Sequence, residues 1–192
     1  MNKLRSTFSK FYAYLIASIA KNGNLGGYVH DTSMSQFIPP NACHYNTGTW
    51  TQVAGQVAGT IVMHKGATAE TTKVTIPILV PSNSVGLKGS LLKSIEVDYE
   101  VLVADCTSIT ATLNKVTRGA DLAVAVVAAV TQTQSPTAAL SKVVDQHKLV
   151  VTITTPAWVA NTEYYLLELS CVAAATTQID ILGAVANYTS RA

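Results

Sequence analysis

The chain has 192 residues, enough for one well-packed domain, and 12% of them are charged against 48% hydrophobic; an average globular chain carries about twice that share of charge. A net charge of +2 without clustered Lys and Arg argues against a nucleic-acid interface, whose grip on phosphate rests on such clusters. No apolar run is long enough to be a membrane-spanning helix, and three cysteines, Cys43, Cys106 and Cys171, with no CxxC pair argue against a disulfide framework.

The first 22 residues stand apart. Leu4, Phe8, Phe11, Tyr12, Leu15, Ile16 and Ile19 form the stripe of an amphipathic helix, with Lys3, Arg5, Lys10 and Lys21 mostly off it and no acid before Asp31. Asn22 and Gly23 end it. This stripe suits an arm that docks on a neighbouring subunit. It equally suits a helix lying on a membrane surface. The apolar stretch 11–20 and the small-residue end "ASIA" also fit a secretory signal. Residues 23–48, with "NGNLGG", "FIPPN" and "YNTG", read as an extended linker.

From Trp50 the pattern changes to period two, so residues 49–192 are expected to form one β domain. Strands are expected at 49–63, 71–80, 94–104, 108–117, 121–131, 148–155, 163–173 and 177–188, rich in Val, Ile, Thr and Tyr. Pro77 marks an edge or a bulge. One internal helix is expected near 136–146, with Ser135 as its cap and Pro136 at its first position. Eight strands with little helix imply an all-β, antiparallel, two-sheet sandwich, with a jelly roll preferred and an immunoglobulin-like order second.

Candidate chemistry is sparse. In "SIEVDYEV" (94–101), Glu96, Asp98 and Glu100 alternate with Ile95, Val97, Tyr99 and Val101. Carboxylates two apart on a strand are about 6.6–6.8 Å apart, a spacing compatible with an inverting glycosidase. A strand sets them in a line rather than in the shell that Ca²⁺ requires. The simpler reading is a wet strand face, with Lys93 and Lys115 as counter-charges and a polar hairpin through "ADCTS" to 108–117. His30, His44, His64 and His147 lack paired metal-ligand spacing. GxSxG, HExxH and P-loop signatures do not occur. The reading is of a protein that is no enzyme, with no catalytic residue, cofactor or metal. Trp50, Trp158, Tyr164, Tyr165 and Tyr188 are candidates for stacking on sugars, with Tyr164 and Tyr165 on opposite faces. The triplet Asn187-Tyr188-Thr189 is a chance glycosylation match.

The charge deficit bears on partners. Over the roughly 8,800 Å² expected of a monomer this size, the 24 charged side chains (13 basic, 11 acidic) leave one per about 370 Å². Such a surface tends to associate. The 4–19 stripe, "NGNLGG" and the strand series from Trp50 together resemble the virion structural proteins of tailed bacteriophages, at the level of architecture. That resemblance implies a capsid-decorating, minor capsid or tail-associated subunit. It would be a trimer or other cyclic oligomer, bound to other virion proteins and located in the virion. The competing reading is a carbohydrate-binding module, secreted or attached to a surface. It predicts an exposed aromatic patch.

Overall fold

The computed structural model describes residues 31–55, 59–82, 89–119 and 126–191. The expected arm, with Leu4, Phe8, Phe11, Tyr12, Leu15, Ile16 and Ile19, lies outside them, as does the linker up to residue 30.

Twelve strands follow in chain order among the described residues: β1 (Asp31–Ile38), β2 (His44–Thr47), β3 (Trp50–Ala54), β4 (Ile61–Lys65), β5 (Glu70–Ile78), β6 (Gly89–Leu102), β7 (Ser108–Thr117), β8 (Val126–Ala129), β9 (Gln132–Ser135), β10 (Asp145–Ile153), β11 (Glu163–Ala173) and β12 (Gln178–Arg191). Among the described residues the only helical element is a 3₁₀ turn, Pro40–Ala42. All the pairings are antiparallel and make two sheets. The long sheet runs β3-β4-β12-β6-β10-β9, with β1 on the β4 side of β12, and the short sheet runs β2-β5-β11-β7-β8.

The connections nest. β4 pairs with β12, β6 with β10, β5 with β11 and β7 with β8. Counted over those eight strands, first meets eighth, second meets seventh, third meets sixth and fourth meets fifth. This is the wrapping of a jelly roll and differs from an immunoglobulin order. The two-sheet expectation holds, and jelly roll prevails over its rival.

Several local expectations change. Segment 49–63 is two strands, because the chain reverses where the Gly55 amide donates to the Thr60 carbonyl (2.9 Å). Residues 31–38 and 44–47, expected as linker, are β1 and β2. The segment 121–131 holds β8, and β9 follows in the other sheet. The helix near 136–146 does not form. Ser135 is a strand residue opposite Val150 and is not free to cap. Turns over 137–141 are followed by backbone bonds elsewhere: the Cys106 amide to the Lys142 carbonyl, and the Val144 amide to Asp105 (2.9 and 2.8 Å). The Tyr99 hydroxyl donates to the Ser141 carbonyl at 2.6 Å. Tertiary bonds to the sandwich end have overridden a modest helical propensity. Nor do β6 and β7 pair as a hairpin. The chain crosses between sheets at Val103, whose φ of +69° is rare for a β-branched residue. Pro77 sits beyond the stretch of β5 that β2 pairs, where no described strand hydrogen-bonds to that edge.

The core is built from the inward residues of each alternation. Ile95, Val97, Tyr99 and Val101 of β6 meet Leu167, Leu169 and Cys171 of β11, all at most 1% exposed. Each such aliphatic side chain contributes about 1.5–3 kcal/mol through burial. All three cysteines are buried and free, and desolvation pushes the Cys106 thiol up to about 11, so it stays an uncharged, unreactive core group. One charge also lies inside: the Lys65 side chain is 0% exposed, and its ammonium donates to the Gly66 and Thr68 carbonyls at 2.8 and 2.7 Å.

One sandwich edge is closed by side chains. Gln132 of β9 accepts from the Leu113 amide (2.9 Å) and donates to the Ala111 carbonyl (2.6 Å), which also takes a bond from Gln134. The glutamine amide thus stands in for a missing strand beside β7. Gln132→Ala should leave the Leu113 amide unpaired and cost about 1–3 kcal/mol. That would lower the melting midpoint by roughly 2–4 °C per kcal/mol. A midpoint unchanged in circular dichroism would refute this role.

Candidate functional site

β6 is central in the long sheet, between β12 and β10. Its outward carboxylates therefore project among neighbours on both sides and are only half exposed. Register sets the rows. Glu96 stands between Val185 and Val150, Asp98 between Gly183 and Lys148, and Glu100 between Asp180 and Gln146. The last row continues through His64 to Thr51.

These groups are joined. Glu96 pairs with Lys148 at 3.1 Å and accepts from the Asn187 amide at 2.8 Å, contacts that hold its carboxyl below the usual range. His64 Nδ1 lies 2.6 Å from Asp180 Oδ1. The counter-charge is therefore Lys148 rather than the expected Lys93 and Lys115; Lys115 instead pairs with Glu163 at 3.0 Å. Asn187 also receives the Ser35 hydroxyl at 2.7 Å, so the glycosylation triplet lies in mid-sheet with its side chain engaged. No group of three or more His, Cys, Asp or Glu among the described residues is gathered as a metal would need.

A β-bulge between Ile181 and Gly183 shapes the middle of the face. It turns Leu182 outward, and Gly183 takes φ +140°. Into the space where a side chain would stand comes the ring of Phe37. A Cβ on Gly183 would lie 2.8 Å from Phe37 Cζ and 3.0 Å from the Ile38 carbonyl. Phe37 thus lies against the sheet and remains 59% exposed. On the same side of the long sheet are two adjoining hollows, about 280 and 350 Å³, which share Gln146 and Leu182, the outward residue next to Gly183. The first also carries Glu100, Asp180 and Ile61, and the second Asp98, His147 and Lys148. Carboxylate acceptors, amide and ammonium donors, and apolar surfaces (Phe37, Leu182, Ile61) thus converge on one side of the long sheet.

The aromatic residues named from sequence lie elsewhere. Trp50 packs on Tyr45 (centroids 4.8 Å apart), and the Arg191 guanidinium covers the Trp158 ring at 4.6 Å. Tyr165 and Tyr188 are buried, while Tyr164 is exposed on the short sheet. Phe37 was missed because it falls in the presumed linker. The available signal was Gly183 within the strand pattern "DILGAVA", since a strand glycine marks a bulge or a close approach.

No protein-family model matches the chain, and no curated protein matches it. Among solved structures it is similar to the CBM22-1-GH10 modules of endo-1,4-β-D-xylanase 10B from Clostridium thermocellum, complexed with xylohexaose. That match has 10% identity and a TM-score of 0.42, covering 86% of this chain and 29% of that one. It is also similar to a family 35 carbohydrate-binding module of the same organism (9%, TM-score 0.39, covering 81% and 96%). A third is the family 11 module with a β-1,3-1,4-mixed-linked tetrasaccharide (8%, 0.33, 84% and 91%). The chain spans under a third of the first of these. None of the three is a virion protein.

Proposed function

We propose that the protein is a non-catalytic binding module for a polyhydroxylated ligand, a glycan, held on the outer face of the long sheet. The observation that carries this reading is Phe37, laid on Gly183 on the face that holds the two hollows. A sugar ring offers an apolar C–H face and a rim of hydroxyls. Phe37 and Leu182 supply surface for the first, and Asp98, Glu100, Gln146 and Lys148 supply acceptors and donors for the second. A pocket of this kind combines apolar lining with a few fixed polar groups. The module acts by adhesion, with no turnover, and its setting is outside the cell or on a surface.

The test is Phe37→Ala. Against the soluble glycan that binds best in an oligosaccharide panel, affinity measured by calorimetry should fall at least about tenfold, or 1.4 kcal/mol. The melting midpoint should barely move, because the ring is largely exposed. Retained affinity would refute Phe37 as the platform. Absence of any millimolar glycan binding by the wild type would refute the function.

The assembly reading suggested by the sparse charge retains one observation of its own, a row of exposed apolar residues on the opposite sheet. A virion partner has none.

A further inference from the structure

The outer face of the short sheet has a different character. Its side chains stand in rows across β5, β11 and β7: Lys73–Ser170–Thr110, Thr75–Glu168–Thr112 and Pro77–Leu166–Asn114. Next comes Tyr164–Val116–Val127 across β11, β7 and β8, with Leu79 following β5 on the same side. One half is threonine and serine. The other is apolar, with Leu79 66%, Val127 61% and Tyr164 40% exposed around a Val116 that is itself covered, at 2%. Among the described residues of these rows, the charged side chains are Lys73 and Glu168, and they bind each other at 2.9 Å.

We infer that this face is a self-association surface, and that its occupant is the same face of a second copy of the chain. A two-fold contact sets a patch against itself, so a patch with net charge meets its own charge. The two outer faces differ in this respect. The long-sheet face has Glu96, Asp98, Glu100, Asp180 and Asp31 against Lys148, Arg191 and Lys93, with His64 on Asp180; the acids outnumber the bases, and two copies would repel. In the short-sheet rows across β5, β11 and β7 the described residues hold one cation and one anion that neutralise each other, with His44 of β2 next to Thr75, so these rows are self-complementary. Exposed apolar clusters of this sort mark interaction sites, and tyrosine is favoured in them. The 12% charged content of the chain agrees with a molecule that keeps one face covered. The inference goes beyond glycan binding and does not depend on it.

Sedimentation equilibrium of the full chain tests it. The wild type should run as a dimer at about 100 µM, with a micromolar dissociation constant typical of modest interfaces. Val127→Asp and Tyr164→Asp should each run as monomers with melting midpoints close to wild type. Should either fail to fold, Thr110→Glu and Thr112→Glu, exposed on β7, place like charges on the same face and should have the same effect. Phe37→Asp, on the other sheet, should leave the dimer intact. A monomeric wild type, dimers that persist in the short-sheet variants, or equal loss in Phe37→Asp would each overturn the assignment.

Discussion

Lys65→Ala should lower the unfolding free energy by about 3 kcal/mol, the low end for removing one partner from a buried ionic group. The Lys65 ammonium has three N–H donors, and two of them are accepted by the Gly66 and Thr68 carbonyls. Glu70 Oε1 lies 3.6 Å away and also accepts from the Thr49 amide at 3.3 Å. One side chain therefore ties the turn after β4 to the start of β5 and to the loop before β3. Glu70 keeps part of its carboxylate in water, which is why the low end applies. Alanine adds a void, whereas Lys65→Met keeps most of the volume and removes only the donors. Methionine should therefore cost less than alanine, and the difference reads the cavity. Chemical denaturation measures both. A Lys65→Met protein as stable as wild type would show that the ammonium contributes nothing beyond packing.

Gly183→Ala should cost about 1–3 kcal/mol, the usual toll for forcing a side chain into a backbone region reserved for glycine, and should also weaken glycan binding. The two effects have separate origins. Strain at φ +140° belongs to the backbone and persists in any background. The 2.8 Å approach to Phe37 Cζ belongs to the ring, which must lift off the sheet and lose its place over residue 183. In a Phe37→Ala background, Gly183→Ala should therefore cost less stability and should bring no further loss of affinity. A double-mutant cycle of denaturation midpoints and binding constants reads both. Full additivity would show that the ring does not rest on this glycine.

The strand faces of the core were legible because alternation is a local property. β6 shows it from Ile95 to Val101, and β11 repeats it, so the sandwich and the wet side of the acidic trio follow from residues two apart. Legibility ends where neighbours are remote in the chain. His64 and Asp180 meet across 116 positions, and Asp31 reaches Arg191 across 160, which nothing in a short window records. Phe37 is in the same position: its value depends on β1 lying beside β12, and the Gly/Pro-rich composition around it read as linker. The 136–146 segment failed for the opposite reason. A genuine local signal, Ser135 followed by Pro136, was outweighed by bonds to Tyr99, Cys106 and Asp105. The trio itself changed meaning, because its place in the centre of the sheet turns a solvated stripe into one wall of a furnished face.

The nested order of the sandwich has a consequence for how the molecule is made. β12 follows every other described strand, yet it lies in the interior of the long sheet, hydrogen-bonded to β1, β4 and β6. During synthesis β1, β4 and β6 emerge early and wait without the strand that joins them. Their unpaired edges are exposed for as long as translation of the intervening residues takes, and topologies dominated by such distant pairings fold slowly. Long-sheet assembly is thus held back until β12 leaves the ribosome. Until then the nascent chain presents open strand edges to anything able to pair with them.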